Sequence, residues 1–186
     1  MIRRITMDLR EIKTQRSIRN AFLQLRSEKP LERIRVKELA ELAEISKGTF
    51  YLHYHDVYDL SEQLQNEVIE NVMNSIDHPD AVLYDHSMFT NELFQAFLSH
   101  QSLIDILFSD SQESVLPSRI EQELRKLLLQ KKPDAFQDPY ISVSLTYHVY
   151  GGYFAFQEHR KKLGCNAAIQ FICEISGRIS EGETGV

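Results

Sequence analysis

Residues 36–55 read Val-Lys-Glu-Leu-Ala-Glu-Leu-Ala-Glu-Ile-Ser-Lys-Gly-Thr-Phe-Tyr-Leu-His-Tyr-His. Val36, Leu39, Ala40 and Ala43 recur at helical spacing and make the apolar face of a short helix. Glu44-Ile45 interrupts that pattern, and Ser46 is placed to cap a second short helix running to about His53. Two short helices joined by a tight turn are a helix-turn-helix arrangement. Its physical demands are met residue by residue. Ala40 is small where the two helices must cross, and Ile45 can plug their shared core. Ser46 can satisfy the orphan amides at the start of the second helix, whose first turn then carries Lys47, Gly48 and Thr49. A glycine inside a helix costs about 1 kcal/mol against alanine. Gly48 is therefore expected where a backbone must approach a base or phosphate closely.

Working outward, helical periodicity continues in both directions and no alternating strand pattern is convincing. Ile18, Ala21, Phe22 and Leu25 form one face of a first helix, with Thr14 expected as its N-cap and Pro30 ending it. Asp56 or Asp59 opens a fourth helix carrying Leu60, Leu64, Val68, Val72 and Ile76, and Asp77-His78-Pro79-Asp80 breaks it at an expected hinge. Further helices are expected around Phe89–Leu98, Leu103–Phe108 and Ile120–Leu128. A long one begins at Asp138-Pro139 and closes at Gly164, and a last one carries Ala168, Ile169, Ile172, Cys173 and Ile179. The expectation is an all-α chain of about nine helices. Residues 1–59 form an N-terminal three-helix domain that carries the helix-turn-helix, and residues 60–186 a C-terminal helical bundle.

The decamer Ser46-Lys47-Gly48-Thr49-Phe50-Tyr51-Leu52-His53-Tyr54-His55, in register with Leu39-Ala40, resembles the recognition helix of TetR-family transcriptional regulators. The resemblance covers about residues 14–64. It implies a sequence-specific regulator that binds double-stranded operator DNA as a homodimer, and a repressor relieved by an effector held in the C-terminal domain. Lys47, Gly48 and Thr49 match base-reading positions, Tyr51 and His53 match positions that hydrogen-bond phosphates, and Phe50 and Tyr54 match core-facing aromatics. Three departures stand out. The family often has Gly where this chain has Glu44. Arg35 stands where a Thr usually caps the second helix, and Val57 where a Lys usually grips phosphate. Arg35 and Lys37 are substitutes for that lost contact, and Ser46 completes the expected DNA-binding set.

The net charge of −6 is at odds with a nucleic-acid binder until it is divided along the chain. Residues 1–60 hold twelve Lys and Arg against nine Asp and Glu, whereas residues 61–186 hold nine against eighteen. One end is thus suited to an anionic partner and the other is not. No apolar run suits a membrane span, the first residues lack the apolar stretch of a signal peptide, and two cysteines give no disulfide framework. A cytoplasmic location without membrane partners is expected. No catalytic constellation, metal-ligand spacing or cofactor fingerprint is found, so no enzyme, metal or cofactor is expected. His148 and His159 lie too far apart along one helix to share a metal.

Thirteen of the eighteen Phe and Tyr fall between Tyr84 and Phe171. They suit a core and a dimer interface through the last two helices, and they also suit a pocket for a small-molecule effector near Phe97, Tyr147, Gly151 and Phe154. Gly151-Gly152 in mid-helix points to close helix approach or a kink beside a cavity. A second reading from another class is a helical adaptor that binds a partner protein, or a co-activator-dependent regulator that binds no small molecule.

Overall fold

The computed structural model describes residues 9–181. They are all-helical, with nine α-helices and no strand among the described residues: α1 Leu9–Glu28, α2 Val36–Leu42, α3 Lys47–Tyr51, α4 Val57–Asn74, α5 His86–Ser99, α6 Gln101–Leu107, α7 Val115–Lys131, α8 Pro139–Leu163 and α9 Cys165–Glu181. No described helix is long and apolar enough to cross a membrane.

Helix ends follow local chemistry. Ser46 accepts the Thr49 amide, Asp56 accepts the amides of Tyr58 and Asp59 at 2.8 Å, Asp85 accepts that of Met88, and Asp138 accepts that of Tyr140. Pro139 occupies the first turn of α8, and Gly164 ends that helix at φ 82°. Thr14 is not a cap. It lies inside α1 and donates its hydroxyl to the Arg10 carbonyl at 2.9 Å, because the helix extends back to Leu9.

The chain forms two compact units. The first runs through Asn66 and takes in Ser102–Gln112; the second comprises Glu67–Gln101 and the chain from Glu113 onward. The first unit thus extends past residue 59 and draws in a segment from well beyond it. The division falls inside α4, and Asp77-His78-Pro79-Asp80 lies within the second unit. That segment leads into a 3-10 turn, Pro79–Leu83, that buries Pro79, Ala81 and Val82. Glu92 of α5 accepts the His78 amide at 2.9 Å, and Lys131 of α7 pairs with Asp80 at 3.1 Å.

In the first unit, Ile18, Phe22, Leu39, Phe50 and Leu60 are fully buried and form a core shared by α1–α4. Arg26 is buried beside them. It donates to the Asp110 carboxylate at 3.0 Å and to the carbonyls of Ser109 and Lys29, which fastens residues 109–110 to the end of α1. Gln65 donates to the Leu107 carbonyl at 3.0 Å and adds a second tie to the same segment. In the second unit, α5, α8 and α9 pack around Phe89, Leu145, Phe156, Ala168 and Ile169.

Candidate functional site

The α2–α3 segment is built around a turn whose backbone does what glycine usually does. Glu44 stands at φ 56° in the left-handed region. Its amide donates to the Glu41 carbonyl at 3.2 Å, and the Ile45 amide donates to the Ala40 carbonyl at 3.0 Å. These are the paired bonds of a Schellman closure, and they satisfy the last carbonyls of α2. The turn closes with Glu44 at a position where glycine is the usual choice. This leaves a side chain in a conformation that glycine would take without cost.

α3 starts immediately after the turn. Ser46 Oγ accepts the Thr49 amide at 3.0 Å and lies 2.9 Å from Thr49 Oγ1, which locks both hydroxyls onto the first turn. Phe50 is fully buried and Tyr54 nearly so, with ring centroids 5.7 Å apart. They anchor α3 to the core and turn the opposite side of the helix outward. Ser46, Lys47 and Gly48 are exposed, and Thr49 and His53 are half-buried. Tyr51 is 56% exposed, although its ring meets Phe50 edge-on at 5.5 Å. A Cβ added at Gly48 would meet Ser46 Oγ alone, at 3.6 Å, so no neighbour within the described chain requires glycine there. The next residue, Leu52, is 83% exposed, an apolar side chain on the same outward surface that helical periodicity does not single out.

Arg35 precedes α2 in extended conformation and makes no side-chain cap; it is exposed. Lys37 is exposed and lies 3.9 Å from Glu41 one turn on. Val57 is a buried core residue at the start of α4. Lys29, which no sequence motif marks, is paired with Glu38. Arg35, Lys37 and Lys47 are thus exposed cations of this unit, Lys37 within reach of Glu41.

The four residues expected around an effector are not brought together. Phe97 is 4% exposed and lines an internal void with Phe94, Val149 and Phe156. Tyr147 and Phe154 are more than half exposed, Gly151 is exposed, and nothing lies within 4 Å of a Cβ added there. The reason is helical geometry: positions 147, 151 and 154 share one face of α8, while His148, Val149, Gly152 and Phe156 occupy the other. With Val143 on α8 and Phe171 and Ile175 on α9, the outward residues leave an apolar surface on both helices. At Gly152 an added Cβ would make ordinary contact, 3.6 Å from Phe94 and 3.8 Å from Ile172, so this inner position excludes larger side chains rather than a methyl group.

Two features lie beyond the sequence expectations. Arg26 falls at i+4 from Phe22 and i+8 from Ile18, so a cation on the apolar face of α1 is the signal for it. His86 and His148 are both buried with ring centroids 4.3 Å apart, a pairing across 62 residues of chain that no periodicity could announce. Among the described residues no cluster of three or more His, Cys, Asp or Glu could hold a metal. Cys165 and Cys173 are free, and burial pushes the Cys173 thiol up to about 11, so it is un-ionised at neutral pH.

The chain matches no family model, no curated protein and no solved structure.

Proposed function

We propose that the chain is a DNA-binding transcriptional regulator that reads the major groove of duplex DNA with α3 and acts as a homodimer. The observation that carries this reading is the α2–turn–α3 unit. A left-handed closure at Glu44 leads directly into a capped five-residue helix, which is anchored by Phe50 and Tyr54 and turns Lys47, Gly48 and Tyr51 outward. Base edges are read by side chains at the start of such a helix, and phosphates by hydroxyl, imidazole and cationic groups around it. Lys47 and Thr49 take the first role, and Gly48 between them lets the backbone approach the groove closely. Ser46, Tyr51, His53, Arg35 and Lys37 take the second.

Two copies pair through the outward faces of α8 and α9. Val143, Tyr147, Phe154, Phe171 and Ile175 are each more than half exposed, and a symmetric interface would cover them. Gly151 lies among them with open space above it, which lets two copies of α8 approach closely. The regulatory reading is a repressor relieved by an effector bound in the second unit. Val57 in the core and the exposed Leu52 favour the competing adaptor reading, because the first removes a phosphate contact and the second adds an apolar one.

The test is selection of the full chain on a pool of random duplexes about three helical turns long, followed by titration of the enriched sequence. A symmetric pair of half-sites is expected. Tyr51→Phe and His53→Ala should weaken binding to every duplex alike, whereas Lys47→Ala and Thr49→Ala should relax sequence preference by about 1–3 kcal/mol per lost base contact. No enriched sequence, or four variants that bind as the wild type does, refutes the assignment in favour of the adaptor.

A further inference from the structure

The α2–turn–α3 segment carries no net charge. Between Arg35 and His55 the cations Arg35, Lys37 and Lys47 are matched by Glu38, Glu41 and Glu44. Lys37 lies 3.9 Å from Glu41, and Glu38 is paired with Lys29. α4 adds Asp59 and three glutamates and contains no Lys or Arg. Neutralising phosphates supplies most of the sequence-independent affinity of a protein for DNA. A groove reader with neutral reading helices must therefore draw that share from another element.

The positive charge of the first unit stands on α1. Between Leu9 and Asn20, Arg10, Lys13, Arg16 and Arg19 face Glu11 as the one carboxylate. Helical spacing turns Ile18, Ala21, Phe22 and Leu25 inward and leaves Lys13, Arg16, Asn20, Gln24 and Ser27 on an exposed outer stripe without an acid. Lys13 and Arg16 make no ion pair or hydrogen bond with the described residues. The stripe also has a defined place in the unit. Arg26, near the end of α1, and Gln65, two turns into α4, both bond residues 107–110. Both helices thus run towards that segment. Their first turns lie at the other end of the unit, where α3 leads into α4 at Val57. Lys13 is about 20 Å back along α1 from Arg26.

We propose that the outer stripe of α1, centred on Lys13 and Arg16, is a second DNA-contacting surface that grips the phosphate backbone beside the groove read by α3. It supplies the affinity common to all sequences, and α3 supplies the discrimination. The inference rests on the DNA-binding reading and adds to it the element that carries the electrostatics. Charge complementarity selects the partner: two unpaired cations less than one helical turn apart meet a polyanion, Arg16 with a planar fork that suits a phosphate and Lys13 as a point charge. Asn20 and Gln24 continue the stripe with amide donors, which suit phosphate and sugar oxygens. Leu9 and Ile12 are exposed at the start of α1, and an anionic lipid surface is the competing partner. The amides of the stripe favour DNA, because acyl chains offer them no hydrogen-bond partner.

The experiment titrates the full chain over a range of salt against the duplex it enriches and a duplex of unrelated sequence, read by fluorescence anisotropy. Lys13→Gln combined with Arg16→Gln should weaken binding to both duplexes by one factor, about tenfold or more at about 0.1 M salt, and leave their ratio unchanged. Each lost phosphate contact lowers the slope of log affinity against log salt by about 0.9, so this double variant, present in both copies of a dimer, should lower it by about three to four. A variant that lost affinity only by unfolding would keep the wild-type slope. Lys132→Gln combined with Lys161→Gln removes the same charge from exposed positions of the second unit and should leave the slope as it is. An unchanged slope in the α1 variant, or an equal fall in this control, overturns the proposal. So does retention of the wild type, but not of the α1 variant, on phosphatidylserine vesicles with duplex affinity unchanged; that result gives the stripe to a membrane. A chain that enriches a sequence but keeps its slope in the α1 variant leaves the regulator standing and refutes the role of α1. A chain that enriches none, yet loses affinity for any duplex with the expected change of slope, does the reverse. No binding to either duplex refutes both.

Discussion

The turn at Glu44 and the mid-helix pair Gly151-Gly152 reverse the usual work of glycine. Glu44 holds a left-handed backbone without being glycine, while Gly151 and Gly152 sit in an uninterrupted α-helix and neither has a positive φ. Conformation at residue 44 is imposed by two backbone bonds that close α2 and by the start of α3 shortly after. The glycines of α8 serve shape instead. One thins the inner face where Phe94 and Ile172 pack, and the other leaves a gap on the outer face. A glycine in a sequence thus reports either a backbone demand or a steric one, and only the surroundings tell which.

The largest expected effect exploits that difference within α8. Gly152→Leu overfills the space against Phe94 and Ile172 and should lower stability by about 1–3 kcal/mol in urea denaturation. The same change one residue earlier, Gly151→Leu, meets open space. It should leave the fold as stable or more stable, since glycine in a helix interior costs up to about 1 kcal/mol. On the dimer reading it should instead raise the monomer–dimer dissociation constant by an order of magnitude or more in sedimentation equilibrium, about 1.4 kcal/mol or above. Equal losses of fold stability for the two variants would erase the distinction between the faces.

What can be read in the sequence divides along the same line. Caps at Ser46, Asp56 and Asp138 are local, each fixed by a side chain within three residues of the backbone it serves, the stop at Gly164 is fixed by that residue's own backbone, and all four are legible. Periodicity places Ile18, Phe22, Leu39 and Phe50 in the core for the same reason. It fails on α8 because that helix is apolar on both sides. Tyr147 and Phe154 look inward in a sequence, yet Tyr153 and Phe156 are the aromatics that take the interior. Contacts spanning many residues are invisible. Arg26 reaches Ser109 and Asp110, 83 and 84 positions away, and Gln65 reaches Leu107. No local pattern could join residues 102–112 to the first unit.

The next expected effect separates the interior of α8 from the turn at Glu44 by pH. Burial disfavours the charged imidazole of His148, so the folded chain binds a proton there less readily than an unfolded chain does, whose imidazole titrates near 6.5. Stability from this group is therefore complete above about pH 6.5 and is lost as pH falls towards the depressed folded pKa. The slope is at most about 1.4 kcal/mol per pH unit. His86 and Ser144 face the ring. His78 acts in the opposite sense. Its hydrogen bond to Glu92 raises its pKa, so it adds stability as pH falls, and comparison with His148→Phe subtracts that contribution. Glu32 and Asp59 in the first unit have lowered pKa values and lose stability only below about pH 4.5, the ordinary range of carboxylates. Hydrogen exchange between about pH 5 and 6.5, corrected for intrinsic rates, should show weaker protection for α8 at the acid end and little change for α2 and α3. Uniform loss across both would show that His148 is not the group responsible.

The smallest expected effect falls on the turn itself. Glu44→Gly removes the steric cost of a left-handed residue, about 1–2 kcal/mol, and returns part of it as extra freedom in the unfolded chain, about 0.4–1 kcal/mol. A net gain of about 0.5–1 kcal/mol is expected, which raises the midpoint of thermal unfolding by a few degrees. The exposed Glu44 carboxylate makes no hydrogen bond or ion pair with the described residues, so its loss should not offset that gain. Glu44→Ala separates the two contributions, because it removes the same charge but keeps a Cβ at φ 56°. Alanine should therefore match the wild type, and glycine alone should stabilise. If alanine and glycine stabilise equally, the cost at this position is the charge of Glu44 and not its backbone. The turn would then owe nothing to the left-handed conformation, and the reversal between Glu44 and the glycines of α8 would fail at its first term.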